Sequence, residues 1–357
     1  MKRCTRCVLP ETFPGIQFDA EGVCQYCRRM PTPERRAEQR AALLARFEAL
    51  VAEVRDLPGY HGVMSWSGGK DSTYTLWLLT EVYGLRVLGF VFDNGFISPA
   101  AIENIKTVSE RLGVDTVTIR PRFDLMRKLF ADSMVPGVYP ARLMERASGI
   151  CNTCMGIAKG LGVKLALEYE VPMLVYGWSP GQIPLASAFM PENRRMLQAM
   201  AEASSAPLNR LSGGLTSVYF PSAALIERAS RLPVNIGPMA FIDYTEERAL
   251  EVVNGLGWRR PEDTDPNSSN CLLNNYGNLL HVRQWGYQPY VMELAGLVRE
   301  GCMAREEALA RLEEAPPVAA VAEVAEKLGV PAPEVIEGQW FANSSPGSPG
   351  RGASDEA

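Results

Sequence analysis

The sequence predicts an α/β protein built on a doubly wound parallel sheet. Two observations carry that expectation. Between residues 60 and 178 short apolar runs alternate with stretches of helical spacing. A glycine-rich turn, Ser67-Gly68-Gly69-Lys70-Asp71-Ser72, separates the first run from the first helical stretch. A third observation adds an N-terminal zinc-ribbon-like module: two Cys-x2-Cys pairs, Cys4/Cys7 and Cys24/Cys27, lie in a stretch too short to form its own core.

Taken in order, residues 1–30 read as the four-cysteine module and 31–57 as a charged linker helix with apolar Leu43, Leu44, Phe47, Leu50 and Val51. The α/β domain is expected over 58–285, with strands at 62–66, 86–92, 114–119 and 173–176. Helices fall between them at about 71–83, 99–112, 122–134 and 150–169. Residues 183–240 read as an insertion lining an acceptor site, and a further helix opens at Thr245-Glu246-Glu247. A helical extension is expected over 286–342, broken at Pro316-Pro317, before a low-complexity tail, 343–357, expected to be disordered.

Composition narrows the function. Of 357 residues, 46% are hydrophobic and 22% charged, which is globular usage. Thirty-six Lys and Arg against 41 Asp and Glu give −5, so no global basic field advertises nucleic acid. The longest uninterrupted apolar run, 87–92, is far short of the roughly 20 residues that span a bilayer. No apolar segment follows Met1-Lys2-Arg3-Cys4, so the expected location is cytoplasmic, with no membrane role. In that compartment eight cysteines point to metal or redox chemistry before disulfides.

The loop Ser67–Ser72 has the parts of a polyphosphate nest. Gly68 and Gly69 let the backbone turn its N–H groups toward one point, the helix start adds partial positive charge, and Lys70 adds a full one. It is not a Walker A loop, whose spacing is absent. Asp71 can organise Mg²⁺ or simply balance the helix dipole.

That hexapeptide resembles the signature of the PP-loop ATP pyrophosphatases, the adenine nucleotide α-hydrolases. The resemblance extends to Val91-Phe92-Asp93-Asn94-Gly95-Phe96, which in that family lies against adenine and ribose. It extends again to Tyr176-Gly177-Trp178-Ser179-Pro180-Gly181-Gln182, where a glycine-bearing loop closes on the nucleotide. It implies a HUP-like fold and ATP binding by Ser67, Gly68, Gly69, Lys70, Asp71, Ser72, Asp93, Asn94, Gly95, Gly177, Gly181 and Gln182. It also implies a shared reaction: a substrate oxygen attacks the α-phosphorus, pyrophosphate leaves with Mg²⁺, and the adenylated carbon accepts nitrogen or sulfur.

The N-terminal cysteines fit a structural Zn²⁺, since four thiolates leave no open position. Their surroundings, with Pro14-Gly15-Ile16 and Phe18-Asp19, resemble the start of N-acetyl sugar amidotransferases of surface-polysaccharide synthesis. Met303 to Leu309 resembles the C-terminal segment of the same enzymes.

A second group points elsewhere. Cys151-Asn152-Thr153-Cys154 opens a helix and Cys271 lies far downstream in 267–275, a stretch read as a loop. This arrangement resembles the PP-loop tRNA thiolases, which hold a [4Fe–4S] cluster through Cys-x2-Cys and one distant Cys. One iron is then left open to carry sulfide. A second zinc site, a dithiol or persulfide route and a structural pair are the alternatives.

The reading is an adenylating sulfurtransferase in which Lys70, Asp71, Cys151, Cys154 and Cys271 are catalytic. Its cofactors are ATP, Mg²⁺, Zn²⁺ and a [4Fe–4S] cluster. The alternative is a sugar amidotransferase fed with ammonia by a partner glutaminase. The acceptor is expected to be a small molecule or carrier-bound, with tRNA less favoured on an acidic chain, and the reading admits a homodimer. Cys302, His61 and His281 are expected to serve packing or surface roles.

Overall fold

The computed structural model describes residues 1–334 and Trp340. The tail expected to be disordered, 343–357, lies outside the described residues.

The chain enters through α1 (Gln25–Arg28) and α2 (Pro33–Val54), then alternates β1 (Gly62–Ser65), α3 (Lys70–Trp77), β2 (Val87–Phe92), α4 (Pro99–Leu112) and β3 (Thr116–Ile119). It continues with α5 (Phe123–Asp132), α6 (Ala141–Met144), α7 (Gly149–Glu168) and β4 (Met173–Tyr176). Next come β5 (Phe189–Pro191), α8 (Arg194–Ser212), α9 (Ala223–Arg228), β6 (Val234–Ile236) and α10 (Glu246–Gly255). It closes with α11 (Leu273–Trp285), α12 (Val291–Glu300), α13 (Arg305–Glu313) and α14 (Val318–Leu328).

The six strands order as β3-β2-β1-β4-β6-β5, all parallel except β5 against β6. The chain winds outward from β1 to β3, then returns to the other side of β1 as β4. That reversal opens a crevice at the carboxyl ends of β1 and β4, where α/β proteins place ligands. The phosphate loop follows β1 and the 177–182 loop follows β4. They touch: a Cβ on Gly177 would fall 2.4 Å from the Ser72 Cα.

Strand alternation sends Val63, Leu88, Phe90 and Leu174 to a core shared with α5, α7, α11 and α14. Met64, Val87, Val91, Met173 and Val175 face the opposite core with α2, α3, α4 and α10. Helix α2, expected as a linker, belongs to this second layer through buried Phe47, Val51 and Val54. The first helix, expected to run to residue 83, passes after Trp77 into a π-helical turn, Leu78–Val82. The stretch 183–240, expected as an insertion, supplies β5 and β6 to the sheet edge. Those strands are three residues each, too short for alternation to mark them in the sequence.

Helix α7 is the one described helix long and apolar enough to cross a membrane. Half of it is buried inside the protein, between the sheet and α5, α8 and α11. A helix apolar on several faces is what a core helix requires.

His281, on α11, is 1% exposed, stacked on Trp285 and edge-on to Tyr287, and among the described residues neither ring nitrogen has a hydrogen-bond partner. Burial pushes its pKa down from 6.5 to about 3. The folded value lies below the unfolded one, so this contribution is full above pH 6.5 and is lost as pH falls toward 3. His281→Phe keeps an aromatic ring and removes the proton acceptor. The urea midpoint of the wild type should therefore fall more steeply than the variant's below pH 6.5. Parallel curves would contradict this.

Candidate active site

At the start of α3 the backbone N–H of Lys70 donates to Ser269 Oγ at 3.1 Å. This is one of the N–H groups a helix leaves unpaired at its start. The Ser269 hydroxyl thus stands where a phosphate oxygen would be received. Ser67 and Ser72 share a 3.0 Å hydrogen bond across the turn, and Ser72 Oγ donates to Gly69 O. Gly68 has φ +77°, and a Cβ there would meet Ala101 O at 2.8 Å. Trp258 Nε1 donates to Gly68 O at 2.9 Å, clamping the turn from behind.

Lys70 is drawn into a cage of oxygens. Its Nζ lies 2.8 Å from Tyr244 Oη, 3.0 Å from Asp71 Oδ1 and 3.2 Å from Glu246 Oε1. Tyr244 in turn donates to Asp71 Oδ1 at 2.6 Å. Burial opposes ionisation of Glu246, yet Lys70 and Arg311 together hold its carboxyl below the ordinary range. Glu293, from α12, closes the far wall and accepts from Ser179 Oγ at 2.6 Å and Gln182 Nε2 at 2.9 Å. Burial pushes its carboxyl up to about 7. Lys70, Asp71, Ser179, Tyr244, Glu246, Glu293 and Arg311 line a cavity of about 70 Å³ together with Leu250, Leu294, Leu297, Cys302 and Met303.

The predicted nucleotide residues divide. Asp93 is buried, accepts from Gly95 N and takes Arg120 Nε at 2.6 Å. Gly95 has φ +85° beneath the Phe123 ring. Gly181 is packed against Gly296 of α12, where a Cβ would lie 2.9 Å from the Gly296 Cα. Gln182 serves Glu293 and also bonds the Ser179 N–H. The 177–182 loop therefore ties the C-terminal helices to the crevice.

Asn94 faces the cysteines. Its Oδ1 accepts from Phe96 N, and the Nδ2 so oriented lies 3.2 Å from Cys154 Sγ and 3.8 Å from Cys271 Sγ. Cys271 is held there because residues 96–98 pair with 270–272: Leu272 N donates to Phe96 O and Ser98 N to Asn270 O. Cys151 sits one helical turn away, with Sγ 3.1 Å from Asn274 Oδ1. Asn274 passes the contact on, its Nδ2 donating to Ser268 Oγ and Tyr290 Oη. Asn274 and Asn275, read as loop, lie in the first turn of α11, which begins at Leu273. Burial raises all three thiols, Cys151 to about 12, and the neighbouring sulfurs add to the rise at Cys151 and Cys154.

The N-terminal module gives the tighter sulfur group. The Sγ atoms of Cys4, Cys7, Cys24 and Cys27 are buried and lie within 4.8 Å of one another. Cys4–Cys27 is 3.9 Å and Cys7–Cys24 is 3.7 Å. A tetrahedral Zn²⁺ with bonds of about 2.3 Å sets its sulfurs about 3.8 Å apart. Cys4 Sγ already accepts from Cys7 N and Cys24 N, an arrangement that stabilises a thiolate. Hydrogen bonds from Cys27 and then Cys7 lower the Cys24 thiol. The donor set fits zinc. Among the described residues no other group of three or more His, Cys, Asp or Glu ligand atoms is this close. The Sγ atoms of Cys151, Cys154 and Cys271 are not all within that distance of one another; a cubane, with an iron at each ligated corner, spaces its thiolates more widely.

Tyr244, Glu246, Ser269, Asn274 and Glu293 carry this site and were not singled out from the sequence. Only Glu246 had a local signal, at a helix start; the others reach the site through contacts far along the chain. His61 packs as expected, buried with its ring bonded to Leu57 O and Arg86 N.

No protein-family model matches the chain. An uncharacterized protein of Methanocaldococcus jannaschii is 24% identical over 319 residues, covering 87% of this chain and 93% of its own. Among solved structures, a U34-tRNA thiolase from Methanococcus maripaludis with its [4Fe–4S] cluster overlaps 84% of this chain and 86% of its own, at 14% identity and TM-score 0.34. An NMN synthetase from Francisella tularensis overlaps 86% of this chain and all of its own, at 10% identity and TM-score 0.36.

Cys4→Ser is expected to lower bound zinc from about one per chain to none and to open residues 1–30 to protease. Freshly purified wild type without zinc would contradict the assignment.

Proposed function

We propose that this protein is an ATP-dependent, adenylating sulfurtransferase of the PP-loop type. One observation carries the reading: residues 267–272 place Ser269 on the phosphate loop and Cys271 beside Cys154 in a single short segment. Nucleotide and sulfur chemistry thus share one crevice. ATP phosphate displaces the Ser269 hydroxyl from the Lys70 N–H, and Lys70 neutralises the departing pyrophosphate. Asp71, bonded to Lys70 and Tyr244, is placed to orient the lysine and to bind Mg²⁺. The acceptor carbonyl, from a small or carrier-bound substrate, enters between the loop and Asn94.

Cys151, Cys154 and Cys271 would hold a [4Fe–4S] cluster, which supplies an open iron for sulfide when bound. Asn94 orients two of the three sulfurs, and Asn274 the third. An external sulfur donor is required. Incubating the protein with ATP, sulfide and a small-molecule cell extract tests the reading. AMP, pyrophosphate and sulfur bound in product are expected; ADP as the nucleotide product would overturn it.

A second reading, the sugar amidotransferase, draws on a different contact. Met303, Ala308 and Leu309, in the C-terminal segment that resembles those enzymes, pack in one core with Cys4, Cys7, Cys24 and Cys27. Glutamine-derived ammonia in place of sulfide would then support turnover.

A further inference from the structure

We propose that the four-cysteine centre positions the phosphate-loop lysine through the C-terminal helices, with Arg305 and Arg311 as positioning residues. The proposal rests on the reading of Lys70 as a ligand to the nucleotide phosphates.

The connection runs through hydrogen bonds at either end of α13 and through the helix between them. Arg305 donates through Nε to Cys7 O and through Nη2 to Cys4 O, both at 3.0 Å. A guanidinium fork is rigid, so it meets two carbonyls together only while they point the same way. In the Cys4-x2-Cys7 turn they do so because both sulfurs are gathered at one centre. Arg305 is the first residue of α13, and Ala308 and Leu312 bury the same helix against Cys4, Cys7 and Leu9. Nearly two turns on, Arg311 Nη2 meets Glu246 Oε2 at 2.6 Å, and Glu246 Oε1 meets Lys70 Nζ at 3.2 Å. Arg311 and Glu246 are both about three-quarters shielded, so solvent screens the pair only partly.

The consequence is directional. When the cysteine turn opens, Arg305 loses two acceptors at once and α13 loses the core that fixes it. Arg311 then no longer fixes the Glu246 carboxylate, and the Glu246–Lys70 ion pair loses the partner that orients it. Metal occupancy at one end of the chain thereby sets ammonium placement at the loop.

The test reads Lys70 directly. Full-length protein is treated with an acetylating N-hydroxysuccinimide ester, and the rate at Lys70 is measured by mass spectrometry against exposed Lys106. Chelator treatment, Arg305→Ala and Arg311→Ala should each raise the Lys70 rate about fivefold or more. Combining chelation with either substitution should add nothing further. Each should weaken ATP binding by a similar factor, and Arg305→Lys, able to reach one carbonyl, should restore part of the loss. An unchanged Lys70 rate after zinc removal would overturn the proposal, as would multiplicative effects of chelation and Arg305→Ala. If chelation unfolds the module, Arg305→Ala, which retains all four thiols, decides alone. A wild type that does not bind ATP would refute the nucleotide reading, while the labelling rates would still decide the coupling.

Discussion

Lys70→Ala will stop AMP and pyrophosphate formation while leaving the chain folded. The loss should reach about 10²- to 10³-fold, the range for removing one preorganised group aimed at developing charge. Among the described residues Lys70 is the one cation paired with Asp71, and Glu246 offers it a second carboxylate. Without the ammonium, the incoming triphosphate and the departing pyrophosphate meet Asp71, Glu246 and Glu293, with Arg260 and Arg311 left on the cavity wall to offset them. The fold survives because Glu246 keeps Arg311 and Asp71 keeps the Tyr244 hydroxyl. Asp71→Ala should give a similar loss, since it frees Lys70 to pair elsewhere. Chromatography of the nucleotide products and circular dichroism of both variants check this. AMP at the wild-type rate in either would remove that residue from the machinery.

Cys271→Ser should separate the two halves of the chemistry. Ser269 stays on the phosphate loop, so ATP affinity is expected to remain within about twofold. Sulfur incorporation should fall by at least about 10²-fold, because two cysteines from one helical turn cannot replace a third from another segment. Iron content should fall with it. A variant that keeps full turnover with ammonia would favour the amidotransferase reading, and one that transfers sulfur normally would leave Cys271 a packing residue.

The parts of this site that could be read in the sequence are those whose chemistry is local. Ser67–Ser72 declares a phosphate nest through two glycines and a helix start. Cys4, Cys7, Cys24 and Cys27 declare a tetrahedral donor set through spacing alone. The strands β1, β2 and β4 were visible because buried parallel strands form apolar runs; β3, at the sheet edge, is only partly buried. What stayed hidden depends on long-range closure. Glu293 is an ordinary helical glutamate until α12 folds over the 177–182 loop and Ser179 and Gln182 bind it. Ser269 is one polar residue among several until strand-like pairing with 96–98 lays it on Lys70. Asn94 was read with the nucleotide, but its own turn, through Phe96 N, directs its amide to the sulfurs. Gly181 was read as a nucleotide-loop glycine, and its lack of a side chain is used for contact with Gly296.

The most direct measurement is iron and acid-labile sulfide in the full-length protein purified without oxygen. About four of each per chain are expected, with a brown chromophore that Cys271→Ser loses. Anaerobically purified protein carrying zinc but no iron or sulfide would contradict it.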